Sequence, residues 1–428
     1  MFNYKKFTRE KLGEGAYFSY YIDNKFKFNK LSIFLSFKED RENTANSAVL
    51  TEVMKKSSKK YPTNAIIQKE LYGMYGAAVD SYILQYKNRQ MLGFNINFLD
   101  DKFSMNGESI TAQSVDLLME LLFNPLVDGD GFDKKEVEVG KKAIKELVES
   151  EINDKLLFAS RQCKRMVYED VDVNVDIYGT PEQIDKVTPQ SAYNFYKKII
   201  DIAEVEVMFI GGGNPETARS AVMSKLSAIE RHPQKFELNE IVVPYGVVKR
   251  RIEEQNITQA NLSMGFVCDI KKDYVTKKAA NFMAKIYGGM STSKLFKNVR
   301  EKESLCYYCG AGYKNATDVI FVDAAIEQQN KDRMEESILR ELVAMQNGDF
   351  GEEEINSVKL AYNNVLSRMM DSVGAIENWY LLRIIENDYI TIEEEKRIVN
   401  SITKEQIVDV AKNTHLQSVY FLKGRDKK

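Results

Sequence analysis

Two pairs of similar segments, each pair separated by about half the chain, constrain the fold of this 428-residue sequence more than any other feature. The segment 132–137, Phe-Asp-Lys-Lys-Glu-Val, resembles the segment 350–355, Phe-Gly-Glu-Glu-Glu-Ile, and each precedes a long helical pattern. The segments 187–211 and 402–424 both combine a threonine at a helix start with a later apolar strand. Few repeats at so long a spacing predict a tandem duplication of one α+β domain, because a solenoid would need shorter and more numerous repeats.

The stretch 232–246 divides the two copies. It has little periodicity and carries prolines near both ends, which is typical of a linker. We therefore predict an N-terminal domain over 1–230, a linker over 231–247 and a C-terminal domain over 248–428.

Hydrophobic alternation and turn residues predict the main elements of each copy. The Asp-Asn pair at 23–24 separates the alternating runs 17–22 and 26–37, so these runs are expected to form a β-hairpin. One long helical stretch is expected from Lys134 towards Met166. The other predicted strands are 78–86, 91–99, 205–210, 260–268, 319–326 and 419–424, and the other predicted helices include 45–56, 115–123, 277–287, 334–345 and 353–369.

Composition and charge argue against several classes of function. The net charge is -3 with both signs interspersed, so the chain carries no basic footprint for nucleic acid or for an anionic membrane. No apolar run is long enough to span a bilayer, and the amino-terminal residues lack the apolar region of a secretory signal. Four cysteines are too few for a disulfide framework and fit a reducing compartment, so we expect a cytoplasmic protein.

Two short motifs resemble known sites but are expected to be structural. The glycines at 211–213 follow a strand, but Glu216 stands where a dinucleotide fingerprint needs its third glycine, and no Walker lysine follows. A tight strand-to-helix turn is therefore the preferred interpretation. Cys306 and Cys309 form a C-x-x-C, yet positions three apart in a strand point to opposite faces, and no second Cys or His pair lies nearby.

Arg300 and Tyr307 form the pair for which the sequence pattern offers a functional interpretation. Apolar residues within 295–299 recur at helical spacing, and the run then becomes extended and rich in aromatic residues, so a helix is expected to lead into a strand. Arg300 then lies near the helix end and Tyr307 at the strand start. A guanidinium and a phenol so placed can converge on one carbonyl or oxyanion. The alternative is that Arg300 pairs at the surface with Glu301 or Glu303 and that Tyr307 is a half-buried strand residue.

Several modest motifs follow one another in an order that is more specific than any one of them. They are Tyr61-Pro62-Thr63, Leu71-Tyr72-Gly73 with Gly76-Ala77, Phe123-Asn124-Pro125, Gly179-Thr180, and the stretch from Gly288-Gly289 through Arg300 to Tyr307. In this order, and over nearly the whole chain, the sequence resembles the M16 peptidases, the insulinase, pitrilysin and mitochondrial-processing-peptidase group. It is most similar to the bacterial members that lack the metal motif. The resemblance implies two M16/LuxS-metallohydrolase-like α+β domains, each with a mostly antiparallel sheet and helices packed on one face.

The resemblance also implies that the zinc site of this family is lost here. Active members carry His-x-x-Glu-His on the first helix, and Ala48, Thr51 and Glu52 occupy the places of the two histidines and the general-base glutamate. The distal glutamate ligand is expected at or next to Leu147, with Glu146 adjacent. We therefore expect no metal in this chain, although a weak carboxylate site for Ca²⁺ or Mg²⁺ stays open.

The remaining histidines offer no substitute for the lost ligands. The sequence has only His232, in the linker, and His415, in a late loop. A catalytic zinc site needs three protein ligands and an open position, and these two residues are too dispersed to supply the usual ligand spacing. Each is expected to be a surface residue.

For Arg300 and Tyr307 the resemblance implies a role in another chain's active site. They match, with the same seven-position spacing, a pair that holds the substrate backbone near the scissile bond in this family. In some bacterial members one subunit holds zinc and a second subunit holds this pair. We therefore expect the non-metal subunit of a two-chain zinc metalloendopeptidase, inactive alone. Its partner would be a paralogue that carries His-x-x-Glu-His and the zinc, although the chain can also pair with itself in isolation, and the substrate would be an unstructured peptide.

Two alternatives stay open. The chain can be an inert scaffold or a peptide-binding homologue, in which Arg300 and Tyr307 are inherited packing residues, or an active peptidase with a different metal site. The family binds peptides partly by adding a strand to a sheet edge. The corresponding segment here, 78–81, departs from the asparagine-alanine that the family has there.

Overall fold

The computed structural model describes residues 7–173 and 175–425. The outermost residues of the two predicted domains, 1–6 and 426–428, lie outside the described residues, as does part of the stretch compared with a secretory signal. The strands are β1 (Thr8–Gly13), β2 (Ala16–Ile22), β3 (Phe28–Lys38), β4 (Ala78–Tyr86), β5 (Arg89–Leu99), β6 (Val127–Asp128), β7 (Gly131–Phe132), β8 (Glu204–Gly211), β9 (Lys249–Gln255), β10 (Ala260–Cys268), β11 (Cys306–Lys314), β12 (Val319–Ile326) and β13 (Thr414–Gly424).

The helices match most of the predicted positions. No helix in the described ranges is both long enough and apolar enough to cross a membrane. The helices are α1 (Thr44–Met54), α2 (Asn64–Gly73), α3 (Ile110–Phe123), α4 (Lys134–Asn153), α5 (Lys155–Val167), α6 (Pro181–Asp185), α7 (Pro189–Ile202), α8 (Pro215–Leu226), α9 (Tyr274–Ala284), α10 (Lys331–Gln346), α11 (Glu352–Met369), α12 (Val373–Glu386), α13 (Ile392–Ser401) and α14 (Lys404–Lys412), with π-helical segments at Lys285–Gly289 and Leu295–Lys302.

The chain divides into two compact units, and neither is continuous in sequence. One crossing between the units follows Asn239, within the stretch 231–247, and two further segments, one containing α5 and one containing α12, belong to the unit formed mainly by the other half of the sequence. The described residues of unit 1 fall within Met1–Val148, Asp176–Asn239 and Met369–Asp388, and those of unit 2 within Glu149–Val175, Glu240–Arg368 and Tyr389–Lys428.

In unit 1 the described strands form a mixed sheet in the order β1-β2-β8-β3-β5-β4. The predicted hairpin of 17–22 with 26–37 is wrong, because β8 lies between β2 and β3 and pairs with both. β8 is buried along nearly its whole length, so its backbone groups need partners on both edges, and alternation alone does not reveal which strands supply them. The second hairpin, β4 with β5, is confirmed.

In unit 2 the described strands follow the order β11-β12-β10-β13-β9. This order repeats β4-β5-β3-β8-β2 of unit 1, and in both sheets the pair at the far end is parallel while the others are antiparallel. The predicted α+β class is confirmed, and the shared strand order is consistent with a duplicated domain to which unit 1 adds β1.

A helix from the other half of the sequence covers one face of each sheet. In unit 2, Val319 and Phe321 of β12 share a buried cluster with Ala159 of α5, whereas the alternate residues of β12 face α9 and α10. In unit 1, Met208 of β8 shares a buried cluster with Leu381 of α12. The helices predicted on one face of each sheet are thus complemented by α5 or α12 on the other, which explains why the compact units exchange these segments.

The long helix predicted from Lys134 towards Met166 is interrupted at Asp154. Asp154 has extended backbone angles, φ -73° and ψ 100°, and its carboxylate accepts hydrogen bonds from the backbone N–H groups of Leu156 and Leu157. The aspartate therefore ends α4 and caps α5. This break directs α5 to unit 2, while most of α4 belongs to unit 1.

Candidate functional site

Arg300 lies in the last turn of the π-helical segment Leu295–Lys302. Leu295 and Val299 are fully buried in the core of unit 2 and fix the segment, while Arg300 is exposed. The guanidinium carbon lies 4.7 Å from the centre of the Phe296 ring, a cation-π contact that orients the side chain. Single turns of π-helix are rare and often occur at functional sites.

The surface ion pair considered for Arg300 is not formed. The Glu303 carboxylate instead accepts hydrogen bonds from the hydroxyl of Ser337, at 2.7 Å, and from Arg340. Within residues 7–173 and 175–425, no carboxylate lies within ion-pair distance of Arg300. The guanidinium therefore keeps N–H groups that can bind a ligand.

The backbone between Arg300 and Tyr307 is strained and then bulged. Ser304 has φ 52°, a left-handed conformation that is uncommon for a residue with a side chain. The pairing of β11 with β12 shifts register between Cys306 and Tyr308, so Tyr307 is the extra residue of a β-bulge. Bulges of this kind redirect a side chain, and the Tyr307 ring is 63% exposed.

Arg300 and Tyr307 line the same cavity in unit 2, with a volume of about 350 Å³. The Tyr307 hydroxyl donates a hydrogen bond to Glu327 Oε1 over 3.3 Å. Glu327 was not predicted as a site residue from the sequence, although it directly follows β12, whose last residue pairs with the first residue of β11. The other residues that line this cavity are Ser304, Leu305, Cys306 and Asn330.

The three residues expected at the family's metal site lie on α1 in unit 1. Ala48 and Thr51 are buried, and the Thr51 hydroxyl donates to the carbonyl of Ala48 over 2.8 Å. The Glu52 carboxylate pairs with Lys55 at 2.8 Å and with Lys56 at 3.6 Å. One methyl group, one satisfied hydroxyl and one carboxylate held by two lysines do not fit zinc, which takes nitrogen, sulfur or carboxylate ligands in a tetrahedron.

Helix α4 passes α1 but brings no replacement ligand. α4 approaches α1 closely at Gly140, whose ideal Cβ would lie 3.4 Å from the Cβ of Glu52. Leu147, about two turns further along α4, is 38% exposed and has no ligand atom. Across the described part of the chain, no group of three or more His, Cys, Asp or Glu side chains could hold a metal ion.

The two histidines take part in local contacts only. His232 Nδ1 lies 2.7 Å from Asp201 Oδ1, and this hydrogen bond with the carboxylate raises the pKa of His232 above 6.5. The ring of His415 stacks on Tyr245 with the ring centres 4.4 Å apart. The glycines at 212 and 213 form the expected tight turn, in which both N–H groups donate to Asn29 Oδ1.

The C-x-x-C differs from expectation in its geometry. The bulge at Tyr307 disturbs the alternation on which the opposite-face argument depends. A side-chain hydrogen bond between Cys306 and Cys309 lowers the pKa of Cys306 and raises that of Cys309. The nearby charge of Arg300 lowers the pKa of Cys306 further, while burial opposes this shift. Both thiols are free, Cys306 half-buried and Cys309 buried.

Comparisons with known proteins relate the repeated strand order of the two units to one family. Residues 186–362 match the family described as Peptidase M16 inactive domain. Over these residues the chain is similar to M16 peptidases.

Similar proteins and structures extend the comparison to most of the chain. The chain is 25% identical over 389 residues, 90% of each sequence, to a Bacillus subtilis (strain 168) protein described as a probable inactive metalloprotease, YmfF. It is similar to the structure of a conserved protein from Enterococcus faecalis V583, with TM-score 0.91, 25% identity and 99% of each chain covered. A peptidase M16 inactive domain from Pseudomonas fluorescens, with TM-score 0.78, 14% identity and 99% of each chain covered, shares the fold.

Proposed function

We propose that this chain is the non-metal subunit of a two-chain M16-type zinc metallopeptidase and that it supplies Arg300 and Tyr307 to a site completed by a paralogue. The main support for this proposal is that these two side chains line one cavity of about 350 Å³. The position expected for the metal in the same chain lacks a ligand set. The paralogue would carry His-x-x-Glu-His, the zinc and the attacking water. The four free cysteines agree with action in the cytoplasm.

In this proposal Arg300 and Tyr307 bind the peptide backbone at the scissile bond. Arg300 donates N–H groups to a substrate carbonyl, and Tyr307 donates its hydroxyl to the oxyanion of the tetrahedral intermediate. The Tyr307 hydroxyl bonds Glu327, an exposed carboxylate, so rotation of the hydroxyl towards substrate exchanges one acceptor for another. The segment 78–81 begins β4, the edge strand of the unit 1 sheet, which offers a place for strand addition.

The test is cleavage of an unstructured peptide by this chain mixed with such a paralogue. We expect activity only in the mixture, and a loss of roughly 10²–10³ in kcat with Arg300→Ala or with Tyr307→Phe, as for removal of one oxyanion donor. Arg333→Ala, which removes an exposed arginine of α10 outside the cavity lining, serves as the matched control.

Three results would contradict the proposal. Full activity of the paralogue alone would remove the need for this chain. Undiminished activity of mixtures that contain Arg300→Ala or Tyr307→Phe would favour an inert scaffold or peptide-binding homologue, in which the pair serves packing. Stoichiometric zinc in the purified single chain would contradict the loss of its metal site.

A further inference from the structure

A second cavity in unit 2 shares Arg300 with the first. Its volume is about 460 Å³, and its lining includes Lys164 of α5, Lys314 at the end of β11 and the hydroxyl-bearing ring of Tyr308. The adjacent tyrosines lie at different cavities, since Tyr307 lines the smaller one and Tyr308 the larger one. Arg300 therefore forms a wall common to both cavities.

The three cations that line this cavity lack the carboxylate partners that some other lysines of unit 2 have. Lys278, for example, pairs with Glu395 at 2.5 Å, and Lys249 pairs with two carboxylates. Within the described ranges, Lys164, Lys314 and Arg300 have no carboxylate at ion-pair distance. Three cations around one cavity without matching acids create a positive potential inside it.

One carboxylate, Asp323, also lines the cavity, and its hydrogen bonds hold it on the wall. The hydroxyl of Ser263 donates to one oxygen over 2.6 Å, and the hydroxyl of Ser160 donates to the other over 3.0 Å. Burial raises the pKa of Asp323, which reduces the negative charge that it can set against the cations. At most one negative charge thus faces three positive ones.

Lys164 and Lys314 repel each other. Burial lowers the pKa of Lys164, and the charge of Lys314 lowers it further. Lys164 also lies over the Phe321 ring, with Nζ 5.8 Å from the ring centre, so its position is partly fixed by α5 and β12. An anion between the two ammonium groups would relieve this repulsion.

The strand that borders the cavity gives a ligand close access. Gly310 and Gly312 of β11 both line it, and β11 is the edge strand of the unit 2 sheet. A Cβ at position 310 would lie 2.5 Å from the Tyr308 hydroxyl oxygen, so glycine allows this phenol to lie across the strand. The cavity thus combines ammonium, guanidinium and phenol donors with exposed backbone.

We propose that this cavity binds a carboxylate of the substrate peptide, either its C-terminal carboxylate or an acidic side chain, while the neighbouring backbone lies on Arg300 and Tyr307. The inference rests on the proposed function in that its ligand is the peptide bound by that pair. Two carboxylate oxygens can accept from two ammonium groups and the guanidinium at once, whereas an amide oxygen accepts more weakly and its NH₂ group offers only further donors.

The test measures binding of four fluorescent peptides to the full-length chain by fluorescence anisotropy at low salt. The peptides share one uncharged sequence and differ only in a free or amidated C-terminus and in one internal Glu or Gln. We expect the carboxylate peptides to bind at least about tenfold more tightly than the amidated Gln peptide, since hydrogen bonds between charged groups are the stronger ones. The free-acid Gln peptide carries only the C-terminal carboxylate, and the amidated Glu peptide carries only the side-chain carboxylate. Comparing their affinities identifies the carboxylate that is bound.

Substitutions of the cavity lysines test whether the preference for carboxylate peptides arises in this cavity. Lys164→Gln and Lys314→Gln should each reduce it several-fold, and the charge reversal Lys314→Glu should abolish it. Lys271→Gln, which removes an exposed lysine outside the cavity lining, should leave it unchanged. Thermal unfolding of each variant checks that it is folded, and Lys314, exposed at a strand end, tolerates exchange even if Lys164 does not.

The outcomes separate this inference from the proposed function. Equal binding of all four peptides, no measurable binding of the carboxylate peptides at millimolar concentration, or a preference retained in Lys314→Glu would overturn the carboxylate site. If the carboxylate preference holds but mixtures with Arg300→Ala and Tyr307→Phe cleave normally, the proposed function fails instead.

Discussion

The environment of Cys306 makes this thiol a chemical reporter of Arg300. The hydrogen bond from Cys309 and the charge of Arg300 lower the pKa of Cys306, against the effect of burial. Burial raises the pKa values of Cys163 and Cys268 to about 12, and Cys309 is also shifted upwards. Because the thiolate is the reactive form, these four cysteines should differ strongly in reactivity.

We predict that iodoacetamide modifies Cys306 first, with a pH midpoint of the alkylation rate below 9.0, the ordinary pKa of a cysteine. Removing the charge with Arg300→Ala should raise this midpoint and slow alkylation near neutral pH, about threefold for each half unit of pKa. Peptide mass spectrometry against time gives the rates, with Arg333→Ala as the control. Faster modification of Cys163 or Cys268, or no change in Arg300→Ala, would contradict the assigned electrostatics.

At the α1 position where the family's metal ligands are expected, the side chains present make local contacts. Thr51 satisfies its hydroxyl within α1, and Lys55 and Lys56, just beyond the end of α1 at Met54, neutralise Glu52. A metal cation bound to Glu52 would need the space beside the carboxylate, and the positively charged ends of the two lysines occupy that space. These contacts therefore stabilise α1 and compensate the charge of Glu52 locally.

At the scale of elements, an ion pair anchors α12 to the sheet of unit 1. Lys30 Nζ of β3 lies 2.6 Å from Glu377 Oε2 of α12, and the Glu377 side chain is fully buried while that of Lys30 is 13% exposed. The Tyr82 hydroxyl lies 3.5 Å from the same oxygen. Burial raises the pKa of Glu377, and Lys30 opposes this shift. The buried carboxylate of Glu377 is therefore stabilised by the charge of Lys30.

We predict that Lys30→Met lowers the free energy of opening of α12 by about 3–5 kcal/mol, because it leaves a buried carboxylate without its counterion. The double replacement Lys30→Met with Glu377→Leu should recover most of the loss, since apolar residues of similar volume pack without a desolvation cost. Hydrogen exchange of the α12 amides measures this opening. Equal protection in the wild type and in Lys30→Met would show that the pair does not anchor the helix.

The sequence predicts which segments are strands and helices better than it predicts their partners. Alternation identified β10 and β12 to the residue, and a threonine cap identified the start of α7, because these signals are local. The insertion of β8 between β2 and β3 depends on pairing across nearly two hundred residues, which no local pattern encodes.

For the candidate site, too, the sequence predicted individual residues better than their surroundings. The helix-to-strand change located Arg300 and Tyr307, but the π-helical turn, the left-handed Ser304 and the bulge at Tyr307 arise from packing and register. Lys164 could not be associated with Arg300, because α5 joins unit 2 only through the exchange of segments. Residues from distant parts of the sequence meet here through topology, not through spacing.

At the scale of the whole molecule, the exchanged segments make the two halves of the sequence dependent on each other. In unit 1, apolar residues of β3 and β8 such as Phe34 and Ile210 are covered by Ile376 and Ile385 of α12. A fragment that ends in the linker would expose this face of the sheet to water. An exposed apolar sheet face and an incomplete hydrophobic core favour aggregation over independent folding.

We predict that fragments 1–239 and 240–428, expressed separately, aggregate or lack a cooperative thermal transition, whereas co-expressed fragments are recovered as a folded complex. Fragment 1–239 extended by a flexible linker and residues 369–388 should regain a cooperative transition, because Leu238 already packs against the cluster that α12 completes. Circular dichroism during heating and size-exclusion chromatography check both expectations. A bare fragment 1–239 that is monomeric and melts cooperatively would mean that its sheet is stable without α12. The two copies of the domain would then be separable units, and the contiguous division predicted at 231–247 would describe their folding better than the exchanged one.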